Sequence, residues 1–303
     1  MNIIFITDVS IQDEISGAER VLYEQTTRLA ARGHHVHILT RRLQSHSADE
    51  AVVAGVHEWR YPVDQSSTAS FFASTLRNGR SLFEKLHNAY RFSCINFHQP
   101  FSAFASLRSS SCNIIRKVYT CHSLSFEEYV SRNPRPRSVG GRMIFLLNRG
   151  ARKWIEKRVL DKSDRIVVLS KYTLDKLTHI HCIPADKIAV IPGGIDLVRF
   201  HPAGDRTAIR ERLKLPRGKT ILLTIRDLEP RMGIENLIHA LRHVVKTVPD
   251  VYLVIGGSGP LKEHLALTSR RLGLDPFIQF TGFIPEEALP EYYRAADIFV
   301  LPT

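Results

Sequence analysis

Asn2-Ile-Ile-Phe-Ile-Thr7, then Ala18 to Ala31, then Val36-His-Ile-Leu-Thr40 decide the fold of this chain. The first run is short, apolar and β-branched, the length of a buried strand. Ala18 to Ala31 sets Val21, Leu22, Leu29 and Ala30 at helical spacing, and Arg32-Gly33-His34-His35 supplies a helix stop before the second strand. A strand, a helix and a strand in this order make a βαβ unit, which implies a parallel sheet covered by helices. Further strands are predicted at Ala51 to Glu58, Ser93 to Phe97, Ile114 to Thr120 and Arg165 to Leu169, with helical patterns between several of them. Together they fit one doubly wound domain.

The composition shifts at Ile191-Pro-Gly-Gly-Ile-Asp196 and again through Phe200-His-Pro-Ala-Gly-Asp205. The interdomain connection is placed there, giving a first domain over 1–195 and a second over 196–303. The α/β pattern then starts afresh: strands at Thr220 to Ile225, Val251 to Ile255, Ile278 to Thr281 and Ile298 to Leu301, with helices at Ile234 to Thr247, Leu261 to Leu272 and Glu286 to Ala295.

With 303 residues, 44% hydrophobic and 24% charged, the chain has material for two cores and is not a disordered or collagen-like sequence. No run reaches the roughly 18 uncharged apolar residues that span a bilayer, and Asp8 interrupts the apolar start at once, unlike a secretory signal. The expected location is the cytoplasm. Four cysteines, spread singly without a C-x-x-C pair, predict buried free thiols rather than a zinc site or a disulfide framework.

The net charge of +12 draws anionic partners. Much of it is local: Arg142, Arg149, Arg152, Lys153, Lys157 and Arg158 crowd one predicted helix, opposed there only by Glu156 and Asp161. The same segment, 142–162, sets Leu147, Ala151, Trp154 and Ile155 on one face. Two readings stand: the stripe packs on the sheet with the charges solvated, or the helix docks on anionic membrane at its inner face. Nucleic acid is not the expected partner, because the basic residues lack interleaved aromatics or a binding module.

Candidate site residues follow from the rule that doubly wound sheets bind ligands at the carboxyl ends of their strands. Gly17 lies between the first strand and the first helix, where a missing Cβ lets helix amides approach an anion or simply serves a turn. The loop is not a G-x-G-x-x-G fingerprint, which argues against a dehydrogenase. Gly257 and Gly259, in Gly256-Gly-Ser-Gly-Pro260, follow a strand of the second domain; three glycines in four residues mark the approach of a ligand or of neighbouring backbone. Arg226 and Arg231 follow the first strand of that domain, either as solvated surface or as a clamp on a diphosphate by forked hydrogen bonds, which their place in the crevice favours. His98 and His122 sit just past two strands of the first domain, but in a chain with 14 histidines position alone is weak evidence.

Ser16-Gly-Ala-Glu-Arg20, Arg32-Gly-His-His-Val36, Ile191-Pro-Gly-Gly-Ile-Asp196, Arg231-Met-Gly233, Gly257-Ser-Gly-Pro260 and Tyr293-Arg-Ala-Ala-Asp-Ile-Phe-Val-Leu-Pro302, in this order across the whole chain, resemble glycosyltransferase family 4. The resemblance implies the GT-B fold, two Rossmann-like domains facing a cleft. It also implies a nucleotide-sugar donor held mainly by the second domain, a glycan or lipid-linked acceptor held mainly by the first, transfer with retained anomeric configuration, and neither metal nor cofactor. By resemblance Gly17 lies near the donor phosphates, His122 in Thr120-Cys-His-Ser123 near the transferred sugar, and Ser170 and Lys171 line the cleft. An epimerase on the same fold is an alternative.

The sequence departs from the family in two places. Asp227 stands at a usual arginine position with Arg226 one residue earlier, and Arg231-Met232 replaces a lysine region. The family's paired glutamates are expected beyond Thr303, so the second domain is expected to be incomplete. The competing expectation is therefore a non-catalytic remnant that keeps nucleotide or partner binding.

Overall fold

A computed structural model describes residues 1–12, 17–44, 46, 48–202 and 204–302. The chain divides into two compact units, Met1–Gly193 and Gly194–Thr303. Each is built around its own sheet.

The first unit contains β1 (Asn2–Ile6), α1 (Gly17–Ala31), β2 (His35–Arg41), β3 (Glu50–Val53), β4 (Val56–Tyr61), α2 (Thr68–Tyr90), β5 (Cys94–Phe97) and α3 (Pro100–Ser106). It continues with β6 (Arg116–Cys121), α4 (Ser125–Arg132), α5 (Val139–Lys162), β7 (Arg165–Val168), α6 (Lys171–His181) and β8 (Ile188–Val190). The sheet order is β3-β4-β2-β1-β5-β6-β7-β8, parallel throughout except for β3. Successive side chains of a strand point to opposite faces, and here both faces are covered. Ile4, Ile6 and Leu39 join Phe83, Phe97 and Tyr119 in one core, while Ile3, Phe5, Val36 and Ile38 join Leu22 of α1 in the other. That double burial is why these strands read as continuous apolar runs.

One predicted strand is corrected. Ala51 to Glu58 is a hairpin, with β3 antiparallel to β4 and Val53 opposite Val56. The turn residues Ala54 and Gly55 both take positive φ, +48° and +79°. Such a turn usually announces itself by Asn-Gly or Asp-Gly, and alanine hides it. The thiols also differ in part from expectation: Cys112 and Cys121 are buried, but Cys182 is exposed at the C-cap of α6.

The second unit contains α7 (Thr207–Arg212), β9 (Thr220–Ile225), α8 (Ile234–Thr247), β10 (Val251–Gly256), α9 (Lys262–Arg271), β11 (Ile278–Gly282), α10 (Leu289–Ala295) and β12 (Ile298–Phe299). Its sheet is parallel in the order β11-β10-β9-β12, so strand order reverses at β9. Leu253 and Ile255 pack with Ile238 and Leu241 of α8 on one face, and Val254 with Ile209 and Ala295 on the other. Asp297 closes the amino end, its carboxylate accepting from the Ile221 amide at 2.8 Å and from Arg206 and Arg210 at 2.7 Å each. Among the described residues β12 pairs with β9 alone, leaving Ile298 and Phe299 exposed.

Candidate functional site

In the second unit the loops after β9 and β10 are joined by backbone hydrogen bonds. Arg226 N donates to Gly256 O at 3.0 Å, Leu228 N to Ser258 O at 2.8 Å, and Leu261 N to Leu228 O at 3.1 Å. The glycines exist for this pairing. Gly257 has φ +128°, and a Cβ there would overlap the Arg226 carbonyl oxygen; a Cβ on Gly259 would sit 2.6 Å from Leu228 O. Neighbouring backbone, one of the two sources of close approach read from the sequence, meets both glycines.

Gly233, at φ +67°, precedes α8 and backs onto the Pro302 carbonyl beyond β12. Having no side chain, it leaves the first-turn amides of α8 uncapped at the point where strand order reverses. Uncapped helix amides with the positive end of the helix dipole suit an anion. The two arginines differ. Arg231 is exposed beside that helix start, whereas Arg226 is half-buried with Nη2 2.9 Å from Met232 Sδ.

In the first unit the carboxyl ends of β1, β5 and β6 come together. Gln99 Oε1 accepts from Thr7 Oγ1 at 2.6 Å and from Asp8 N at 2.9 Å, and Arg41 Nε donates to Asp8 O at 3.2 Å. Burial pushes the Asp8 carboxyl up, against the opposing pull of Arg41. His122 and His98 meet, Nε2 to Nδ1, at 3.0 Å. Burial depresses both imidazoles, His98 well below the ordinary histidine range, while Glu19 and Glu128 partly restore His122. Gly17 opens α1 with no described atom near its would-be Cβ; its neighbours Ile15 and Ser16 lie outside the described residues.

Sequence reasoning does not find Asp8 and Gln99, although each lies two residues past a strand, in the place the doubly wound rule singles out. Ser170 caps α6, its Oγ accepting from Thr173 N at 3.2 Å, and Lys171 is the first residue of that helix. The cap gives Ser170 a structural task of its own.

Helix α5 has two apolar faces. Phe145, Ile155, Val159 and Leu160 are buried, and Glu156 is buried with its carboxylate accepting from Ser125 N at 2.7 Å and 2.9 Å from His181 Nε2. Of the stripe read from sequence only Ile155 is buried; Leu147 is 67% and Trp154 58% exposed, and Met143, Ile144 and Leu146 are exposed with them. The reading in which that stripe packs on the sheet is therefore corrected. Arg142, Arg149 and Lys153 are also exposed and fall along one edge of the outer face. Among the described residues no helix is long and apolar enough to cross a membrane, and no three His, Cys, Asp or Glu side chains gather as a metal site would require.

Two doubly wound units, each with its loops converging where strand order reverses, define a GT-B protein. The chain belongs to glycosyltransferase family 4: the description Glycosyltransferase Family 4 matches residues 15–199 and Glycosyl transferases group 1 matches residues 205–303. It is 27% identical to a D-inositol 3-phosphate glycosyltransferase of Segniliparus rotundus, over 96% of this chain and 65% of that one. It is 33% identical to a GDP-mannose-dependent alpha-(1-6)-phosphatidylinositol monomannoside mannosyltransferase of Mycolicibacterium smegmatis, over 48% of this chain and 38% of that one. The chain thus spans less than two thirds of the length of either relative. Among solved structures it resembles sucrose-phosphate synthase from Thermosynechococcus elongatus, with TM-score 0.80 and 22% identity over 100% of this chain and 75% of the other. It also resembles Anabaena HepE in complex with UDP-glucose, with TM-score 0.69 and 16% identity over 99% of this chain and 73% of the other.

Proposed function

We propose that this protein takes a nucleotide-sugar donor in its second unit and transfers the sugar, with retained anomeric configuration, to a glycan or lipid-linked acceptor. The observation that carries the reading is the hydrogen-bonded pair of loops after β9 and β10, set beside the uncapped start of α8 with Arg231 exposed next to it. As the glycosidic bond breaks, negative charge grows on the departing nucleoside diphosphate. Fixed amides and a guanidinium stabilise that charge without reorganising, and take the place of a divalent ion. In the first unit, the groups offered to a ligand are Gly17 at the start of α1 and His122 just past β6. The family membership and the donor named for the mannosyltransferase relative support the donor class.

The exposed apolar and basic face of α5 supports the lipid-linked branch of the acceptor class. Amphipathic helices with basic edges rest on anionic lipid by burying apolar side chains at the headgroup boundary, and the lipid named for that relative is phosphorylated.

The test is release of nucleoside diphosphate by the purified 303-residue chain across a panel of UDP-, GDP- and ADP-sugars, with and without acceptor. Acceptor-dependent release supports transfer. Donor binding without release supports the non-catalytic remnant, and neither binding nor release overturns both.

A further inference from the structure

His98 is buried to 2% exposure behind β5, and its imidazole has one hydrogen-bond partner among the described residues: His122, 3.0 Å from Nδ1. Its other nitrogen, Nε2, is buried without a hydrogen bond. His122 is half-buried and has a single hydrogen-bond partner among the described residues, at Nε2, so among those residues its Nδ1 is the nitrogen left for a ligand.

Two neutral rings facing one another share one proton, and there are two ways to place it. If His122 donates, His98 must carry its own proton on Nε2, and an N–H is stranded in the core with no acceptor. If His98 donates from Nδ1, its Nε2 is a bare lone pair and no donor is stranded. Buried N–H groups without acceptors are rare, and leaving one unmade is costly. A bare lone pair is the lesser penalty. Burial keeps both rings unprotonated near neutrality, so a doubly protonated ring does not supply a third arrangement.

We infer that His98 is a positioning residue that fixes His122 in its Nδ1–H tautomer, so that His122 presents an N–H donor, and not a lone pair, to the ligand. The group such a donor recognises is an oxygen of the bound sugar or its phosphate; at this nitrogen His122 cannot accept the proton of an attacking hydroxyl. The fixed tautomer follows the logic by which one ring nitrogen is set by the bond made at the other. The identity of the oxygen rests on the proposed transferase function; the tautomer does not.

The experiment is long-range ¹H–¹⁵N correlation on the full chain labelled with ¹⁵N-histidine at neutral pH, with the His122 signals assigned by their loss in His122→Ala. The expected wild-type pattern is a pyrrole-like Nδ1 and a pyridine-like Nε2; the reverse pattern would overturn the proposal without any donor or turnover being needed. Two variants carry it further. His98→Asn places an amide N–H where Nδ1 stood and is expected to keep the pattern. His98→Leu removes the donor and is expected to shift His122 toward Nε2–H, with kcat falling more than KM rises once the donor sugar is known. An unchanged tautomer in a folded His98→Leu chain would also overturn it.

Discussion

Gly257 lies against the Arg226 carbonyl oxygen so closely that no side chain fits between them, and its φ of +128° is one that L residues rarely adopt. Gly257→Ala therefore meets steric and conformational strain together. The expected loss is about 1–3 kcal/mol or more, read as a lower urea midpoint with an unchanged denaturant slope. Because the loops that separate are those proposed to hold the donor, nucleotide affinity is expected to fall in parallel. Wild-type stability in this variant would show that the 226–228 and 256–259 segments are not locked together.

Glu156 and His181 join α5 to α6 inside the first unit, with the other carboxylate oxygen of Glu156 holding the first amide of α4. Glu156→Ala leaves one buried donor, His181 Nε2, and one partly buried donor, the Ser125 amide, without an acceptor and opens a cavity. At about 1–3 kcal/mol for each unsatisfied group, chemical denaturation is expected to show a loss of about 3 kcal/mol. Glu156→Gln retains one acceptor and is expected to lose less than half of that.

Burial, reinforced by His57 and His35, pulls the His37 imidazole down to about 4. The unfolded chain takes up that proton near pH 6.5 and the folded chain only near 4. His37 thus contributes its full stabilisation above about pH 6.5, and the contribution drains away as pH falls from there toward about 4, by at most about 3 kcal/mol. His98 and His122 are shifted in the same direction and add to the same slope. His37→Asn keeps an acceptor for the Trp59 indole N–H, which His37 Nδ1 accepts at 3.2 Å in the native chain. Its Tm is expected to fall less steeply than wild type between pH 6.5 and 4; parallel curves would contradict the assignment.

The outer face of α5 was legible in composition but not in orientation. Leu147, Ala151, Trp154 and Ile155 share a helical stripe in the sequence, and an apolar stripe normally marks the buried side. What the sequence does not display is that Phe145, Val159 and Leu160 form a second stripe that claims the core. The βαβ order and the glycine loops were readable because apolar periodicity and glycine clusters are local signals. The β3–β4 turn was not, since Ala54 stands where Asn or Asp is usual. The meeting of His98 with His122 joins residues 24 positions apart, and depends on the parallel register of β5 with β6, which pairs Phe97 with Tyr119.

That exposed face gives a direct binding expectation. The chain is expected to sediment with vesicles containing anionic phospholipid and not with neutral ones, with affinity falling as salt rises. Replacing Leu147 and Trp154 by Glu should abolish sedimentation, and removing Arg149 and Lys153 together should weaken it by about 2 kcal/mol, at about 1 kcal/mol for each basic residue near the surface. Equal binding to neutral vesicles, or none to either, would contradict the lipid reading.

The second unit is proposed to hold a nucleoside diphosphate at the start of α8. Thermal unfolding of the 303-residue chain with UDP, GDP, ADP and their sugars is the deciding measurement. At least one of them is expected to raise Tm in a concentration-dependent way, worth about 2.7 kcal/mol at a hundredfold excess over Kd. Arg231→Ala is expected to weaken that binding by about 10-fold or more, the worth of a charge-assisted hydrogen bond. A chain whose Tm no nucleotide moves, or whose shift persists undiminished in Arg231→Ala, would contradict it.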